Sequence, residues 1–288
     1  MKSEFSLLAV QCLAGAALLS GCFQQAAPER EITAASLEEA AALSGKVEFI
    51  NLAHGAPVDA FPAGLDRFPA LRKLSVRGQS NCAAVPEEVG RLKGLEMLDL
   101  SETGIQTLPE SFAALSGLRH LYLSGNGMTN FPVQVCALEG LTYLNLDRNA
   151  IASIPDGAGK MKSLKWLRLN SNKLQTLPDG AAGLKNVKRL YLRGNSFTNF
   201  PKAILEMTSL EELDLGKNKI KELPEAIVDM PNLHRIDLDG NPIEKLPTAI
   251  GKMRKLRWLF LNKCALPEEE QNRVREAFPD KVKVHIAF

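Results

Sequence analysis

The sequence predicts an α/β solenoid: a curved stack of about ten 23-residue repeats, with a parallel sheet along the concave face and a helical cap at each end. Three observations lead there. First, an apolar–proline pair recurs at Phe61-Pro62, Val85-Pro86, Leu108-Pro109, Phe131-Pro132, Ile154-Pro155, Leu177-Pro178, Phe200-Pro201, Leu223-Pro224 and Leu246-Pro247, and every interval from Pro86 to Pro247 is 23 residues. Second, the pattern L-x-x-L-x-L-x-x-N-x-L lies between the pairs. It is clearest at Leu141, Leu144, Leu146, Asn149 and Ile151, and again at Leu210, Leu213, Leu215, Asn218 and Ile220. Third, the 288 residues are 45% apolar and 24% charged, the balance of a globular chain, which excludes wholesale disorder. Lys plus Arg, 35, nearly cancels Asp plus Glu, 33. No overall field therefore draws nucleic acid, and any partner must be recognised by a local patch.

The N-terminus reads as a processing segment. Met1-Lys2-Ser3-Glu4 is weakly basic, with Glu4 offsetting Lys2, and a mostly apolar run follows from Phe5 to Leu19. That run is too short for the roughly 20 apolar residues that span a bilayer. It closes on Leu19-Ser20-Gly21-Cys22. This resembles the lipobox of bacterial lipoproteins, with an ordinary secretory signal ending by chance in Cys as the alternative. The resemblance implies a signal peptide over residues 1–21 and acylation of the Cys22 thiol. Two or three acyl chains suffice for stable membrane anchoring. Phe rather than Asp at position 23 implies the outer membrane of a double-membraned envelope, with the leaflet undetermined.

Residues 22–32 are polar, Ala-rich and aperiodic, which reads as the lipidated Cys and a tether. Residues 33–46 are expected to form a helical N-terminal cap. Ser36 and Glu39 have capping-box spacing, Leu37, Ala40, Ala41 and Leu43 make an apolar stripe, and Gly45 stops the helix.

Ten frames then fit the pattern over residues 47–266, starting at residues 47, 71, 95, 118, 141, 164, 187, 210, 233 and 256. The motif resembles the leucine-rich repeat family over some three-quarters of the chain. Elementary geometry agrees, because L-x-L places the fourth and sixth positions on one face of a strand, and a single strand cannot bury that row alone. Stacking at ~4.8 Å per strand makes a parallel sheet about 45 Å long. The ninth-position asparagines Asn126, Asn149, Asn172, Asn195, Asn218 and Asn241 are expected to turn inward and satisfy backbone groups. Gly55, Gln79, Thr103 and Cys264 replace them towards the ends, where repeats abut caps. Residues 267–288 should form the closing cap: a helix from Pro267 to Phe278 with three acids in its first turn, stopped by Pro279, then a short strand with Val282, Val284 and Ile286 alternating.

Little chain remains for a catalytic domain, so no enzymatic activity and no cofactor are expected. The repeats carry no phosphate-cradling glycine loop and no metal-ligand spacing, and His54, His120, His234 and His285 are scattered. With Cys12 removed and Cys22 acylated, Cys82, Cys136 and Cys264 fall in frames too far apart for disulfides.

Function is therefore sought at the third, fifth and seventh positions of each frame, which face away from the leucine rows. All three tyrosines and both tryptophans, Trp166 and Trp258, occupy third or fifth positions. The densest patch joins Tyr143 and Asn145, Trp166 and Arg168, and Arg189, Tyr191 and Arg193, extended by His120 and Tyr122. Tyr, Trp and Arg are the residues most enriched at binding hot spots, so these nine are the candidate partner-binding residues. The alternative is cross-strand stacking that only stabilises the sheet. Glu212, Asp214, Asp237 and Asp239 form a secondary acidic patch, poorly suited to a metal for want of a ligand loop. The resulting expectation is a membrane-anchored, non-catalytic binding module for a protein, with a glycan as second candidate and no nucleic acid. A structural envelope component without a discrete ligand site is the alternative, and an enzyme ranks last.

Overall fold

The computed structural model describes residues 31–288 apart from 44, 54 and 279–283. The lipobox with Cys22, together with Cys12, His54, Pro279 and Val282, lies outside the described residues.

Ile32–Phe288 forms one compact unit built on a twelve-stranded sheet. The strands are β1 (Thr33–Ala34), β2 (Phe49–Asn51), β3 (Lys73–Ser75), β4 (Met97–Asp99), β5 (His120–Tyr122), β6 (Tyr143–Asn145), β7 (Trp166–Arg168), β8 (Arg189–Tyr191), β9 (Glu212–Asp214), β10 (Arg235–Asp237), β11 (Trp258–Phe260) and β12 (His285–Ala287). Their spatial order is their chain order, and every pairing is parallel. The ten frames supply β2 to β11. β12 is the closing strand expected from the C-terminal alternation. β1 was not expected: the N-terminal cap starts with an edge strand, because Ile32 O accepts from Glu48 N and Phe49 N at 2.9 and 3.2 Å.

β2 to β11 are each three residues long, and the middle residue of each is buried: Ile50, Leu74, Leu98, Leu121, Leu144, Leu167, Leu190, Leu213, Ile236 and Leu259 form one row. The first and sixth residues of each frame, all Leu or Val, are buried beside it. Phe112 and Phe197 are fully buried among them. One such row cannot exclude water, but neighbours at strand spacing bury it on both sides, each fully buried Leu contributing roughly 1.5–3 kcal/mol of transfer free energy.

On the convex side the apolar–proline pairs from Val85-Pro86 to Leu223-Pro224 each open a short 3₁₀ segment, as at Glu87–Arg91, Asp156–Lys160 and Asp179–Gly183. Proline suits that entry, with φ near the helical value and no N–H to leave unpaired. Its carbonyl accepts the first i+3 bond, Val89 N to Pro86 O at 3.1 Å.

The asparagine ladder stands as expected. Asn149 Nδ2 donates to Leu123 O and Leu146 O at 2.9 and 3.0 Å, while its Oδ1 accepts from Met128 N at 3.0 Å. The exceptions compensate differently. The longer Gln79 reaches Leu52 O at 2.7 Å, Thr103 Oγ1 donates to Leu100 O, and Cys264 Sγ approaches Leu238 O at 3.4 Å. Just before the ladder the chain turns left-handed, even at Glu102, Arg148, Ser171, Lys217 and Lys263, with φ between 53° and 61°. Backbone bonds hold that strained turn by continuing the sheet one step beyond the strands, as in Arg148 N to Asn170 O at 2.8 Å.

α1 (Leu37–Ala42) carries the expected cap: Ser36 Oγ accepts from Glu39 N at 3.1 Å, and Glu39 Oε2 accepts from Ala35 N at 2.7 Å. The apolar stripe is narrower than expected, since Ala40 is buried but Ala41 is exposed. Successive residues of an α-helix point about 100° apart, so Ala41 turns away from the core that Ala40 faces. α2 (Glu268–Ala277) begins after Pro267, with Glu268, Glu269 and Glu270 in its first turn. Glu270 is buried, accepts from Leu246 N at 2.8 Å and holds Arg273 at 2.6 Å, which fastens this cap to the last repeats.

Candidate functional site

The candidate patch lies where strand alternation places it, on the sheet face opposite the leucine row. Parallel in-register pairing lines up like positions: His120, Tyr143, Trp166, Arg189, Glu212, Arg235, Trp258 and His285 form one row. Tyr122, Asn145, Arg168, Tyr191, Asp214 and Asp237 form the next. All nine candidate binding residues share this face. His120 is exposed and the other eight are half-buried.

The aromatic rings stack across strands. Tyr143 stands at the centre, 6.2 Å from His120, 4.9 Å from Tyr122 and 5.7 Å from Trp166 between ring centroids. The arginines complete the run: Arg189 lies over Trp166 at 4.3 Å and Arg168 over Tyr191 at 5.1 Å. Burial pushes the phenols of Tyr143 and Tyr191 up to about 12, with the Glu212 carboxylate adding to the shift at Tyr191. Both therefore remain neutral hydroxyls at physiological pH. Burial, and after it the Lys73 charge, pushes His120 down.

The secondary acidic patch is joined to this surface rather than separate from it. Glu212 accepts from Arg189 Nε at 2.8 Å and from the Tyr191 hydroxyl at 3.1 Å. Arg193 Nη1 reaches Asp214 at 3.6 Å and Asp237 at 3.1 Å, and Asp239 Oδ1 accepts from both nitrogens of Asn262. Asp147, which the sequence reading left out, holds Arg168 at 2.7 Å. Its seventh position in the frame was the available signal. The basic character expected of the patch is thus largely offset by carboxylates of the same face. The carboxylates feel one another as well: burial, with Asp237 nearby, lifts Asp214 to about 6 against the backbone N–H of Gly216.

A second aromatic group, also unassigned from the sequence, occupies the C-terminal end of the face. Trp258, 41% exposed, meets His234 edge-on at 5.8 Å, while Phe260 lies 6.1 Å from His285 and beneath the Arg235 guanidinium at 4.6 Å. Among the described residues no three His, Cys, Asp or Glu side chains gather as a metal set, and no helix is long and apolar enough to cross a membrane. Cys82, Cys136 and Cys264 are free thiols.

A family model described as leucine-rich repeat matches residues 69–128, 139–197, 185–243 and 208–266. Solved structures with similar folds include an internalin from Listeria monocytogenes, 19% identical with a TM-score of 0.63, the match covering 84% of this chain and 80% of that one. The ectodomain of the Arabidopsis receptor kinase HAESA, solved with an N-terminally extended IDA peptide hormone, is 28% identical with a TM-score of 0.64, over 73% of this chain and 37% of that one. A chain of the Drosophila Toll–Spatzle complex is 22% identical with a TM-score of 0.69, over 77% of this chain and 30% of that one. No curated protein sequence matches.

Proposed function

The chain belongs to the leucine-rich repeat family, and from that premise we propose that it is a membrane-anchored, non-catalytic module that binds a protein partner through the concave face of its sheet. The observation that carries this reading is the unbroken stack from His120 through Tyr122, Tyr143 and Trp166 to Arg189, side chains that a water-facing sheet does not need and that suit a desolvating partner. The HAESA ectodomain supports a polypeptide partner, since a peptide hormone is the ligand in that structure. The neutral hydroxyl of Tyr143 supplies a donor beside an apolar ring face, whereas that of Tyr191 already donates to Glu212.

The anchor rests on Cys22 and its lipobox, with the outer membrane of a bacterial envelope as the expected site. A Cys22→Ala chain should leave the membrane fraction, and mass spectrometry of the wild-type N-terminal peptide should show diacylglycerol on the thiol. An unmodified, membrane-free wild type would remove the anchor from this reading.

Recognition is tested by affinity capture from the producing cells, using the full chain in detergent beside a Tyr143→Ala, Trp166→Ala, Tyr191→Ala variant matched for folding. A protein lost in the variant supports the concave face. Equal capture moves recognition to the convex face or the caps, and a captured glycan replaces the protein partner. A second reading, a structural envelope component, has one observation in its favour: Arg189 and Arg168 already cover ring faces from within the chain. Absence of any capture, with the sheet destabilised in the variant, would favour it.

A further inference from the structure

Four arginines stand on the concave face between β7 and β10, and three of them are committed to the chain's own carboxylates. Arg168 is held by Asp147, Arg189 by Glu212, and Arg193 by Asp214 and Asp237. Arg235 is different. Its register neighbour on β9 is Glu212, which bonds Arg189 and Tyr191 instead. Arg235 leans the other way over Phe260, and among the described residues it makes no ion pair and no side-chain hydrogen bond. A guanidinium stacked by its face keeps its N–H donors available at the rim, in a fork matched to a carboxylate.

Beside it in register is Trp258, the one Phe, Tyr or Trp of the face that is exposed among the described residues. The contrast with Trp166 is instructive. The ring of Trp166 is covered by Arg189 at 4.3 Å, whereas His234 meets Trp258 only edge-on, and His285 is its register neighbour on β12. An uncommitted cation and an open indole thus adjoin on neighbouring strands, four strands from Trp166. At ~4.8 Å per strand that separation is about 19 Å, the reach of roughly six extended residues.

We propose that Arg235 and Trp258, backed by Phe260, form a second recognition subsite that takes an apolar residue flanked by a carboxylate, within an extended segment of the partner that also crosses the Tyr143–Trp166 platform. The occupant follows from charge and shape: the carboxylate meets Arg235, which among the described residues is the concave arginine between β7 and β10 without a carboxylate, and the apolar side chain covers the indole. The proposal rests on the concave-face reading above.

The test uses the full chain in detergent with ¹⁵N-labelled tryptophan, whose two indole N–H signals are assigned with Trp166→Phe. The probes are the peptides acetyl-Gly-Leu-Asp-Gly-amide, its Asn counterpart and acetyl-Gly-Gly-Asp-Gly-amide. The Leu-Asp peptide should shift the Trp258 signal and bind at least fivefold more tightly than either control. Arg235→Gln should equalise the Asp and Asn peptides, while Arg235→Lys should keep part of the preference. Equal binding of Asp and Asn peptides to the wild type, a shift confined to Trp166, or no shift would each overturn the subsite. The two readings fail separately. Capture that depends on Tyr143, Trp166 and Tyr191 but survives Trp258→Ala and Arg235→Gln sinks the subsite alone, and capture indifferent to both sets sinks the concave face as well.

Discussion

Arg193 crosses Gly216 to reach Asp237. The two charged groups belong to frames two apart, yet Arg193 Nη1 stands 3.1 Å from the Asp237 carboxylate, because the seventh position of the frame between them is a glycine. A Cβ on Gly216 would collide with the guanidinium and come within 3.0 Å of Asp237 Oδ1. The ion pairs of the site therefore depend on a missing side chain as much as on the charges.

Gly216→Ala should displace Arg193 and weaken its ties to both Asp214 and Asp237, at a cost of about 1 kcal/mol. Partly buried ion pairs of this kind carry little more, and the arginine is flexible enough to move aside. In an Arg193→Ala background the same substitution should cost less, because the guanidinium is gone and only the Asp237 carboxylate, at 3.0 Å from the added Cβ, has to yield. A double-mutant cycle by urea unfolding measures the difference. Equal costs in the two backgrounds would show that Gly216 matters for its backbone and not for the space it leaves.

Asp214 should make stability depend on pH. Burial and the neighbouring Asp237 lift its folded pKa to about 6, above the ordinary carboxylate value of about 3.9. Between pH 4 and 6 the folded chain then binds a proton that the unfolded chain does not, so this residue's contribution improves as pH falls through 6 and is unfavourable above it. Asp214→Asn keeps an oxygen for the N–H of Gly216, which now donates to Asp214 Oδ1 at 2.9 Å. The variant should be more stable than wild type at pH 8 by about 2 kcal/mol, a shift of roughly two pKa units at 1.36 kcal/mol each, reduced for partial exposure. The advantage should vanish by pH 4. Guanidinium unfolding at a series of pH values checks it, and a pH-independent difference would refute it.

The asparagine ladder should be far less tolerant than its substitutes at the ends. Asn172 is buried and, besides a longer bond to Asn170 O at 3.3 Å, serves three backbone groups, donating to Leu146 O and Leu169 O at 2.9 and 3.1 Å and accepting from Ile151 N at 3.0 Å. Asn172→Ala leaves all three unpaired, a loss of about 3 kcal/mol. Cys264 offers Leu238 O only a 3.4 Å thiol contact, so Cys264→Ala should cost less than about 1 kcal/mol. Comparable losses from the two substitutions in thermal unfolding would contradict the ladder argument.

The solenoid is legible in the sequence because its causes are local and periodic. Leucines at the fourth and sixth positions share one face of a strand, and an apolar–proline pair recurs within the frames at a fixed interval. The site is only half legible. Position in the frame places Tyr143, Trp166 and Tyr191 on one face, but it does not say which way a long side chain leans. Glu212 lies between Arg189 and Arg235, and only the three-dimensional arrangement shows it bonded to Arg189 and Tyr191. For the same reason the basic and acidic residues, apart in the chain, become one network, and Asp147 enters it. β1 escaped notice because two residues carry too little alternation to register.

Packing on the convex face is equally hidden in the sequence, since a glycine there can mark a turn, a gap or a close approach. Gly159 and Gly183 belong to successive 3₁₀ segments, and both are close approaches. A Cβ on Gly159 would collide with the carbonyl oxygen of Gly180 and lie 3.2 Å from Gly183 Cα. What it would meet is backbone, which cannot swing aside as Arg193 can beside Gly216. Gly159→Ala should therefore force the two segments apart and cost about 2–3 kcal/mol, the usual penalty of overpacking. Gly94 supplies the control, because the nearest atom to a Cβ there is Leu71 O at 3.8 Å, an ordinary contact. Gly94→Ala should be neutral or slightly stabilising through the unfolded state. Chemical unfolding of both variants decides it: a neutral Gly159→Ala would mean that the convex segments are free to move apart.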